Sequence, residues 1–252
     1  MAKQFGLVSL QGTVGDTTFV RTKNGFLARQ KTSINKNRIA TDPNYARLRD
    51  HNAEFAKACT AGKLIRQNFQ QLIQNCKDSA VHLRLTGLLL QAVKMDATNP
   101  LGLRNVLDGE LALLDNFEFN VNSNLAQALS AGYTKTFDRA SGAASFVIDS
   151  FIPVKALRAP VNATHYRISA GAAAIGFETQ ESEKGVAEGS YRPIDNAAAD
   201  AQTLTITLTA DLTVPVLLAM KLEFFQEVNG GINDLKDKSF NACCLVKVDT
   251  GV

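Results

Sequence analysis

The side chains that could carry acid–base, nucleophilic or metal chemistry are few and widely spaced. The sequence contains three histidines and four cysteines, which are His51, His82, His165, Cys59, Cys76, Cys243 and Cys244. A metal site needs such ligands to converge, and the sequence has no C-x-x-C pair. We therefore predict no metal site, structural roles for the histidines, and free buried thiols in a chain made in a reducing compartment.

No stretch of the sequence matches a motif that holds a cofactor or a nucleophile. The G-x-S-x-G elbow of many hydrolases is absent, and "GTVGDTT" lacks the Gly-Lys-Ser/Thr ending of a phosphate-binding loop. Two carboxylate pairs fall in polar segments, namely Glu181/Glu183 and Asp234/Asp237. Sequence alone brings neither pair to a cleft, so we predict no catalytic residue, no cofactor and a protein that is not an enzyme.

Positive charge is the one chemical feature that the sequence concentrates. Six basic residues fall within 18 positions: Arg21, Lys23, Arg29, Lys31, Lys36 and Arg38. On a two-stranded ribbon the first four could share a face and contact phosphates, which makes all six candidate nucleic-acid-binding residues. The same region supplies a candidate assembly interface, made of Phe19, Arg21, Lys23, Phe26, Arg29 and Lys31.

A β-hairpin arm over residues 1–40 is the element that positions these side chains. Phe5, Leu7 and Leu10 indicate a first short strand, and Asn24-Gly25 is a strong hairpin signal between two further strands. Two or three short strands are marginal alone in water. The arm is therefore expected to need a partner surface, from its own chain or from another.

Helical spacing of apolar residues follows over residues 41–114. Asp42-Pro43 is a good helix start, Gly62 either breaks or weakens a long helix, and Asp78 or Ser79 caps the next helix. Asn99-Pro100 is a break, after which a further helix is predicted from residue 103 to residue 114.

Residues 115–252 read as an antiparallel β-sandwich. Strict alternation in "TLTITLTA" and "LAMKLEFFQEV" predicts two buried faces, made of Leu204, Ile206 and Leu208 and of Leu218, Met220, Leu222 and Phe224. The polar stretch 179–202 is interpreted as an exposed excursion or a long hairpin of the sandwich, and Asn229-Gly230-Gly231 as a turn toward a strand over residues 241–248. The predicted fold class is α+β.

Charge is polarised along the chain. Residues 1–100 hold 15 Lys+Arg and 6 Asp+Glu, a net of +9, whereas residues 101–252 hold 12 and 18, a net of −6. This asymmetry fits a nucleic-acid-facing end, head-to-tail contact between copies, or solvated helix faces. With neither a signal peptide nor an apolar run of 18 residues, we expect cytoplasmic synthesis, with release from the cell as an assembly left open.

Several of these segments resemble a protein group of Bacteroidota to which no activity is assigned. The likeness rests on "QGTVGDTTFVRTKNGFLARQK", "RIATDPNYARLRDHNAEFAKACTAGKLIR", "LRNVLDGELALLDNFEFN" and "LEFFQEVNG". Its most specific positions are Gly12, Gly15, Gly25, Arg29, Arg38, Asp42 and Pro43. The resemblance implies a Gly-rich hairpin, a basic helical middle and a β-rich C-terminal half. It supplies no catalytic residue. By analogy only, the layout is also similar to phage-like shell or fibre subunits.

The functional hypothesis from the sequence is a structural subunit that self-assembles into a filament, tube or shell, with the arm docking on a neighbouring copy. The first alternative is a nucleic-acid-binding protein that uses the basic arm and the first helix. The second is an adhesin-like module, in which the sandwich binds a surface through residues 179–201.

Overall fold

The structure of the chain is a computed structural model, which describes residues 2–3, 10–23, 25–31 and 36–251. It divides into two compact units, Met1–Arg49 and Asp50–Val252. The predicted positions Phe5, Leu7 and Asn24 lie outside the described residues.

The first unit contains a four-stranded antiparallel sheet followed by short helices. Its strands, in the order β1-β4-β3-β2, are β1 (Ala2–Lys3), β2 (Gly12–Val14), β3 (Thr17–Thr22) and β4 (Gly25–Gln30). Helix α1 (Lys36–Thr41) and a 3₁₀ turn (Pro43–Tyr45) come next. Leu10 was expected in a strand, but it lies in an irregular segment and is exposed. It lies two residues before Gly12, whose φ of 114° suits glycine.

The helices of the second unit begin with a helix that spans the boundary between the units. They are α2 (Ala46–Asn68), α3 (Gln70–Ile73) and α4 (Val81–Lys94). Gly62 does not break α2, which continues through it to Asn68. A Cβ at position 62 would stand only 3.3 Å from Leu89 Cδ1, so the glycine allows α2 to approach α4 closely. The predicted caps are wrong: Ala80 precedes α4, and the Asp78 carboxylate instead accepts the Ala80 N–H at 2.7 Å.

The predicted helix over residues 103–114 is also wrong. That segment is a loop ending in a 3₁₀ turn (Leu111–Leu114), because side chains compete for its backbone N–H groups. Asn105 Oδ1 accepts the N–H groups of Leu107 and Asp108 at 2.8 Å each. The buried Asp96 accepts the Asn105 N–H at 3.1 Å, and although its burial opposes ionisation, this and other hydrogen bonds lower its pKa to about 2.

Two antiparallel sheets form the rest of the second unit. The seven-stranded sheet follows the path β10-β8-β12-β14-β5, with β9 also paired to β8 and β13 to β12. The three-stranded sheet has the order β11-β7-β6. The strands are β5 (Phe117–Glu118), β6 (Tyr133–Asp138), β7 (Ala143–Ile148), β8 (His165–Ile175), β9 (Ser182–Glu188), β10 (Arg192–Pro193), β11 (Gln202–Thr207), β12 (Val216–Val228), β13 (Gly231–Asp234) and β14 (Ala242–Asp249). Two single-turn helices are α5 (Leu125–Ala128) and α6 (Pro153–Ala156).

The seven-stranded sheet is buried on both faces. The face that meets the three-stranded sheet carries the predicted alternate residues of β12, which pack against Leu204 and Ile206 of β11. They are Leu218, Met220, Leu222 and Phe224. The opposite face packs on α2, α3 and α4 in a second cluster, and here Leu72 Cδ1 stands 2.5 Å from where a Cβ of Gly171 would be. The predicted α+β class with a C-terminal sandwich is therefore confirmed.

Of the two interpretations of residues 179–202, the structure favours the hairpin, because β9 pairs antiparallel along β8 from Ser182 to Glu188. One detail of the sandwich differs from the sequence prediction. The Asn229-Gly230 turn, with positive φ at both residues, leads into β13 and not directly into β14. Helices and sheets share the second cluster, so the 40/41 and 114/115 boundaries remain predictions.

Candidate assembly interface

The register of the N-terminal sheet sorts its side chains onto two faces. Directly paired residues of antiparallel strands share a face, and neighbours along a strand alternate. From the pairs Phe19↔Ala28 and Arg21↔Phe26, one surface, here called the aromatic face, holds Val14, Thr17, Phe19, Arg21, Phe26, Ala28 and Gln30. The other, here called the aliphatic face, holds Thr13, Thr18, Val20, Leu27 and Arg29.

The aromatic face combines two phenyl rings with one guanidinium. Arg21 and Phe26 are partners in the ladder, and the Arg21 guanidinium carbon lies 5.8 Å from the centre of the Phe26 ring. At that distance the cation is attracted by the ring. Phe19 and Phe26 are neither buried nor fully exposed. This combination of aromatic rings and arginine is the one that protein interfaces favour.

The sheet contradicts the prediction that four basic residues share a face. Arg29 pairs with Thr18 on the aliphatic face and therefore lies opposite Arg21. Lys23 lies in the turn after β3, and Lys31 follows β4, where its N–H donates to the Asp16 carbonyl at 2.6 Å. Side chains alternate between the two faces along a strand. The observed register pairs Arg21 with Phe26 and Arg29 with Thr18, so positions 21 and 29 lie on different faces.

The two remaining basic candidates lie on α1. Lys36 is its exposed first residue, whereas the Arg38 guanidinium binds the Asp42 carboxylate at 3.2 Å and lies 6.0 Å from the centre of the Tyr45 ring. Asp42 caps the following turn as predicted, accepting the Asn44 N–H at 2.9 Å. That backbone bond, with the one from Arg38, lowers the pKa of Asp42. Arg38 is therefore engaged in local structure.

The first unit has no buried residue among those described from 10 to 49. Its charge is also distinct: residues 1–49 carry nine Lys+Arg and two Asp+Glu, a net of +7, while residues 50–252 carry 18 and 22, a net of −4. Both faces of this sheet leave their apolar side chains partly exposed. The sheet therefore gains little of the free energy that burial of apolar surface gives to folded sheets.

The second unit contains a buried ionic cluster that sequence reasoning missed. Glu223 is 1% exposed, and its carboxylate binds the Lys221 ammonium at 2.7 Å, Asn75 Nδ2 at 2.8 Å and the Arg167 guanidinium at 3.0 Å. Arg167 also binds Glu188 at 2.8 Å. The signal was present in "LAMKLEFF", where two charges occupy alternate positions of an otherwise apolar strand.

This cluster is a structural network in which the Glu223 carboxylate is satisfied, whereas the buried Arg167 Nε has no hydrogen-bond partner. Burial on its own raises the pKa of Glu223, but the nearby Lys221 ammonium and the hydrogen bonds to the carboxylate outweigh it, so the pKa is lowered. Arg167 lies over the rings of Tyr191 and Phe225, at 5.0 and 5.3 Å. The network joins Asn75, in the segment after α3, to the sheet, and removing one partner would leave an uncompensated buried charge.

The candidate chemical residues stay apart in the described part of the chain. His51 lies 4.0 Å from Glu54 and His165 lies 3.9 Å from Glu227, while His82 is exposed on α4. Over the described ranges, no three His, Cys, Asp or Glu side chains come together as a metal site. Glu183 lies on β9, where its carboxylate accepts the Thr209 N–H at 2.9 Å.

Two neighbouring clefts of about 370 and 350 Å³ lie at one end of the seven-stranded sheet. They share Leu107, Phe177 and Glu178, between the 103–111 loop and the turn after β8. Their walls are mostly apolar, and the ionic cluster does not line them.

Comparison with protein-family models, with curated proteins and with solved structures finds no match for this chain. The resemblance to the Bacteroidota group therefore stays a prediction. Among the described helices, none combines the length and apolar character that crossing a lipid bilayer requires.

Proposed function

We propose that the protein is a non-enzymatic structural subunit that assembles with copies of itself through its N-terminal sheet. The observation that carries this proposal is the absence of any buried residue among those described from 10 to 49, in a unit that nevertheless holds Phe19, Val20, Phe26 and Leu27 on ordered strands. Such a sheet gains stability when one face is covered.

The aromatic face is the docking surface in this proposal. Arg21 and Phe26 present a cation–aromatic pair, flanked by Phe19, and aromatic residues and arginine are enriched at interfaces. The net charge of +7 on residues 1–49 and of −4 on residues 50–252 favours contact between the basic unit of one copy and the acidic unit of the next. Contacts of this head-to-tail kind form open polymers unless the rotation closes a ring.

The three-stranded sheet offers a receiving surface. Its outer face carries five exposed threonines, which are Thr134, Thr136, Thr203, Thr205 and Thr207. Its outer strands, β6 and β11, each pair on one side only among the described strands. Open strand edges accept a further strand, so the β2 edge of another copy is a suitable partner.

The test is negative-stain electron microscopy with sedimentation analysis of the full chain at low and high salt. We expect regular polymers at low salt that weaken at high salt, and a monomer when residues 1–40 are removed. A monomer of the full chain at every salt concentration, or polymers formed by the truncated chain, would contradict the proposal.

A matched pair of charge reversals distinguishes the two faces. Arg21→Glu changes the aromatic face and Arg29→Glu makes the same charge change on the aliphatic face. We expect Arg21→Glu to weaken association about 10- to 100-fold and Arg29→Glu to do so much less. Equal effects of the two variants would show that net charge matters and the face does not.

The concentration of basic residues in the first unit also favours nucleic acid as a second candidate partner. Its measurement is fluorescence anisotropy with labelled DNA and RNA, and binding through phosphates predicts affinity that falls steeply with salt. Undetectable or salt-independent binding would dismiss this candidate.

A further inference from the structure

A small polar cavity of the second unit shares no lining residue with the two clefts described above. Its volume is about 160 Å³. Three segments form its walls: the loop after β5 together with α5, the segment after α6, and the turn before β14. The lining residues are Asn122, Ser123, Asn124, Gln127, Ala128, Arg158, Ser239 and Phe240. The cavity has the volume of about five water molecules, which is room for a ligand the size of one sugar unit.

Hydrogen bonds between the three segments hold the walls of this cavity in place. The Arg158 N–H donates to the Ala128 carbonyl at 3.0 Å, which joins the segment after α6 to α5. Ser123 Oγ donates to the Phe240 carbonyl at 2.8 Å, which joins the loop after β5 to the turn before β14. A ligand that enters a site with fixed walls loses less free energy to ordering the protein.

Three exposed side chains of the lining keep polar groups that the protein itself does not use. Within the described part of the chain, neither the Arg158 guanidinium nor the Gln127 amide makes an ion pair or a hydrogen bond. Asn124 Oδ1 accepts the Ala126 N–H at 2.9 Å, whereas its Nδ2 has no partner among the described residues. One guanidinium and two amide groups are therefore available to a ligand at the same cavity.

The chemistry of these groups selects the class of ligand. The lining carries one positive charge and no negative one, because none of its eight residues is Asp or Glu. A guanidinium binds a carboxylate through two parallel N–H bonds, and amides both donate to and accept from hydroxyl groups. Phe240 supplies an apolar wall for the C–H groups of a saturated ring. A lone phosphate or acetate ion would use the guanidinium and leave the amides and this wall without a contact.

We propose that this cavity binds a carboxylated sugar unit such as glucuronate. The carboxylate binds Arg158, the hydroxyl groups bind Asn124 and Gln127, and the ring lies against Phe240. A free sugar acid and the end of an acidic polysaccharide present this same chemistry. All lining residues belong to the second unit, so the inference does not depend on the assembly proposal.

The test is saturation-transfer NMR of the full chain with sodium glucuronate, which detects weak binding to monomers and polymers alike. We expect saturable binding with a Kd of about 1 mM, as is usual for a ligand with so few atoms. Glucose lacks the carboxylate and should bind at least about 10-fold more weakly. A tetrasaccharide that ends in glucuronate distinguishes the two sources: tighter binding than the monosaccharide identifies a polysaccharide end, and equal or weaker binding identifies the free sugar acid.

A matched pair of variants assigns the binding to this cavity. Arg158→Gln should weaken glucuronate binding about 10- to 100-fold and remove most of the preference over glucose. Lys155→Gln removes the same charge from an exposed position on α6 outside the lining, and it should change the Kd by less than about 2-fold. Absence of saturable binding, equal binding of glucose, equally strong competition by phosphate or acetate, or equal effects of the two variants would overturn the proposal.

Discussion

At the scale of single residues, the interior accommodates charge in two different ways. Glu223 is surrounded by donors, whereas Glu118 has only the Leu125 N–H on Oε1, at 2.9 Å, and no partner for its buried Oε2. Burial raises the pKa of Glu118 to about 7, despite that hydrogen bond and the Arg84 guanidinium. Its strand partner is Cys244, and burial followed by the Glu118 charge raises the pKa of that thiol too.

Glu118 predicts a pH-dependent contribution to stability. Because its folded-state pKa lies above the unfolded value of about 4.5, the protonated form stabilises the fold below pH 4.5, and this contribution is lost as pH rises through 7. Glu118→Gln should therefore unfold with a free energy about 1–2 kcal/mol higher than wild type at pH 8, after allowance for solvent screening. The difference should shrink toward pH 5, as measured by urea denaturation at each pH.

The exposed Glu178→Gln serves as the control, since it removes the same charge from the surface. A pH-independent difference between Glu118→Gln and wild type would contradict the assignment.

Sequence reasoning at this scale identified residue types better than residue partners. Cys243 and Cys244 were expected as free buried thiols on a strand, and both are. The opposite faces of Arg21 and Arg29 follow from a register that alternation alone does not set.

At the scale of elements, turns decide where strands begin and end. Gly142 precedes β7 with a φ of 70°, and a Cβ there would overlap the Leu208 and Thr209 carbonyl oxygens. Gly87 lies on the exposed side of α4 with nothing within 4 Å of a Cβ. The two glycines therefore differ in what an added methyl group would meet.

We expect Gly142→Ala to lower the free energy of unfolding by about 2 kcal/mol or more, because positive φ and steric overlap both penalise it. Gly87→Ala should raise it by about 0.5–1 kcal/mol, since alanine favours a helix. Thermal and urea unfolding of both variants measure the effects. Equal effects of the two substitutions would disprove the role given to the Gly142 turn.

Element prediction succeeded where one face of a strand is buried and failed where polar side chains bind backbone. Alternation found the inward residues of β11 and β12. It missed that β12 is buried on both faces, since Lys221 and Glu223 look like surface positions until their partners are known. Helical spacing wrongly predicted a helix in the loop over residues 103–110. Asparagine and aspartate side chains there accept hydrogen bonds from backbone N–H groups that a helix would use.

At the scale of the whole molecule, both hydrophobic clusters lie entirely between residues 58 and 248. None of the described residues of the first unit belongs to either cluster. Removal of residues 1–40 should therefore leave the Tm of the second unit within about 3 °C of the full chain under conditions where neither associates. Differential scanning calorimetry measures this, with far-ultraviolet circular dichroism to check that the helices remain. A much larger loss of Tm would mean that the first unit supports the core.

The sequence predicted the α+β class and the order of the regions because periodicity and turn residues are local signals. It divided the chain at 40 and 114 by composition. The two compact units divide at 49/50, and the boundaries at 40/41 and 114/115 remain predictions.

The close packing of α3 on β8 has a consequence for how this sequence can change over time. Gly171 has no side chain, and Leu72 and Phe69 occupy the space where one would lie, with Phe69 ring carbons at 3.5 Å. Both side chains are almost fully buried, so neither can move toward solvent to make space. Substitution at any of these three positions is therefore tied to the other two, so that volume gained at position 171 must be matched by volume lost at 69 or 72. We therefore expect amino-acid substitutions at these three positions to occur together or not at all.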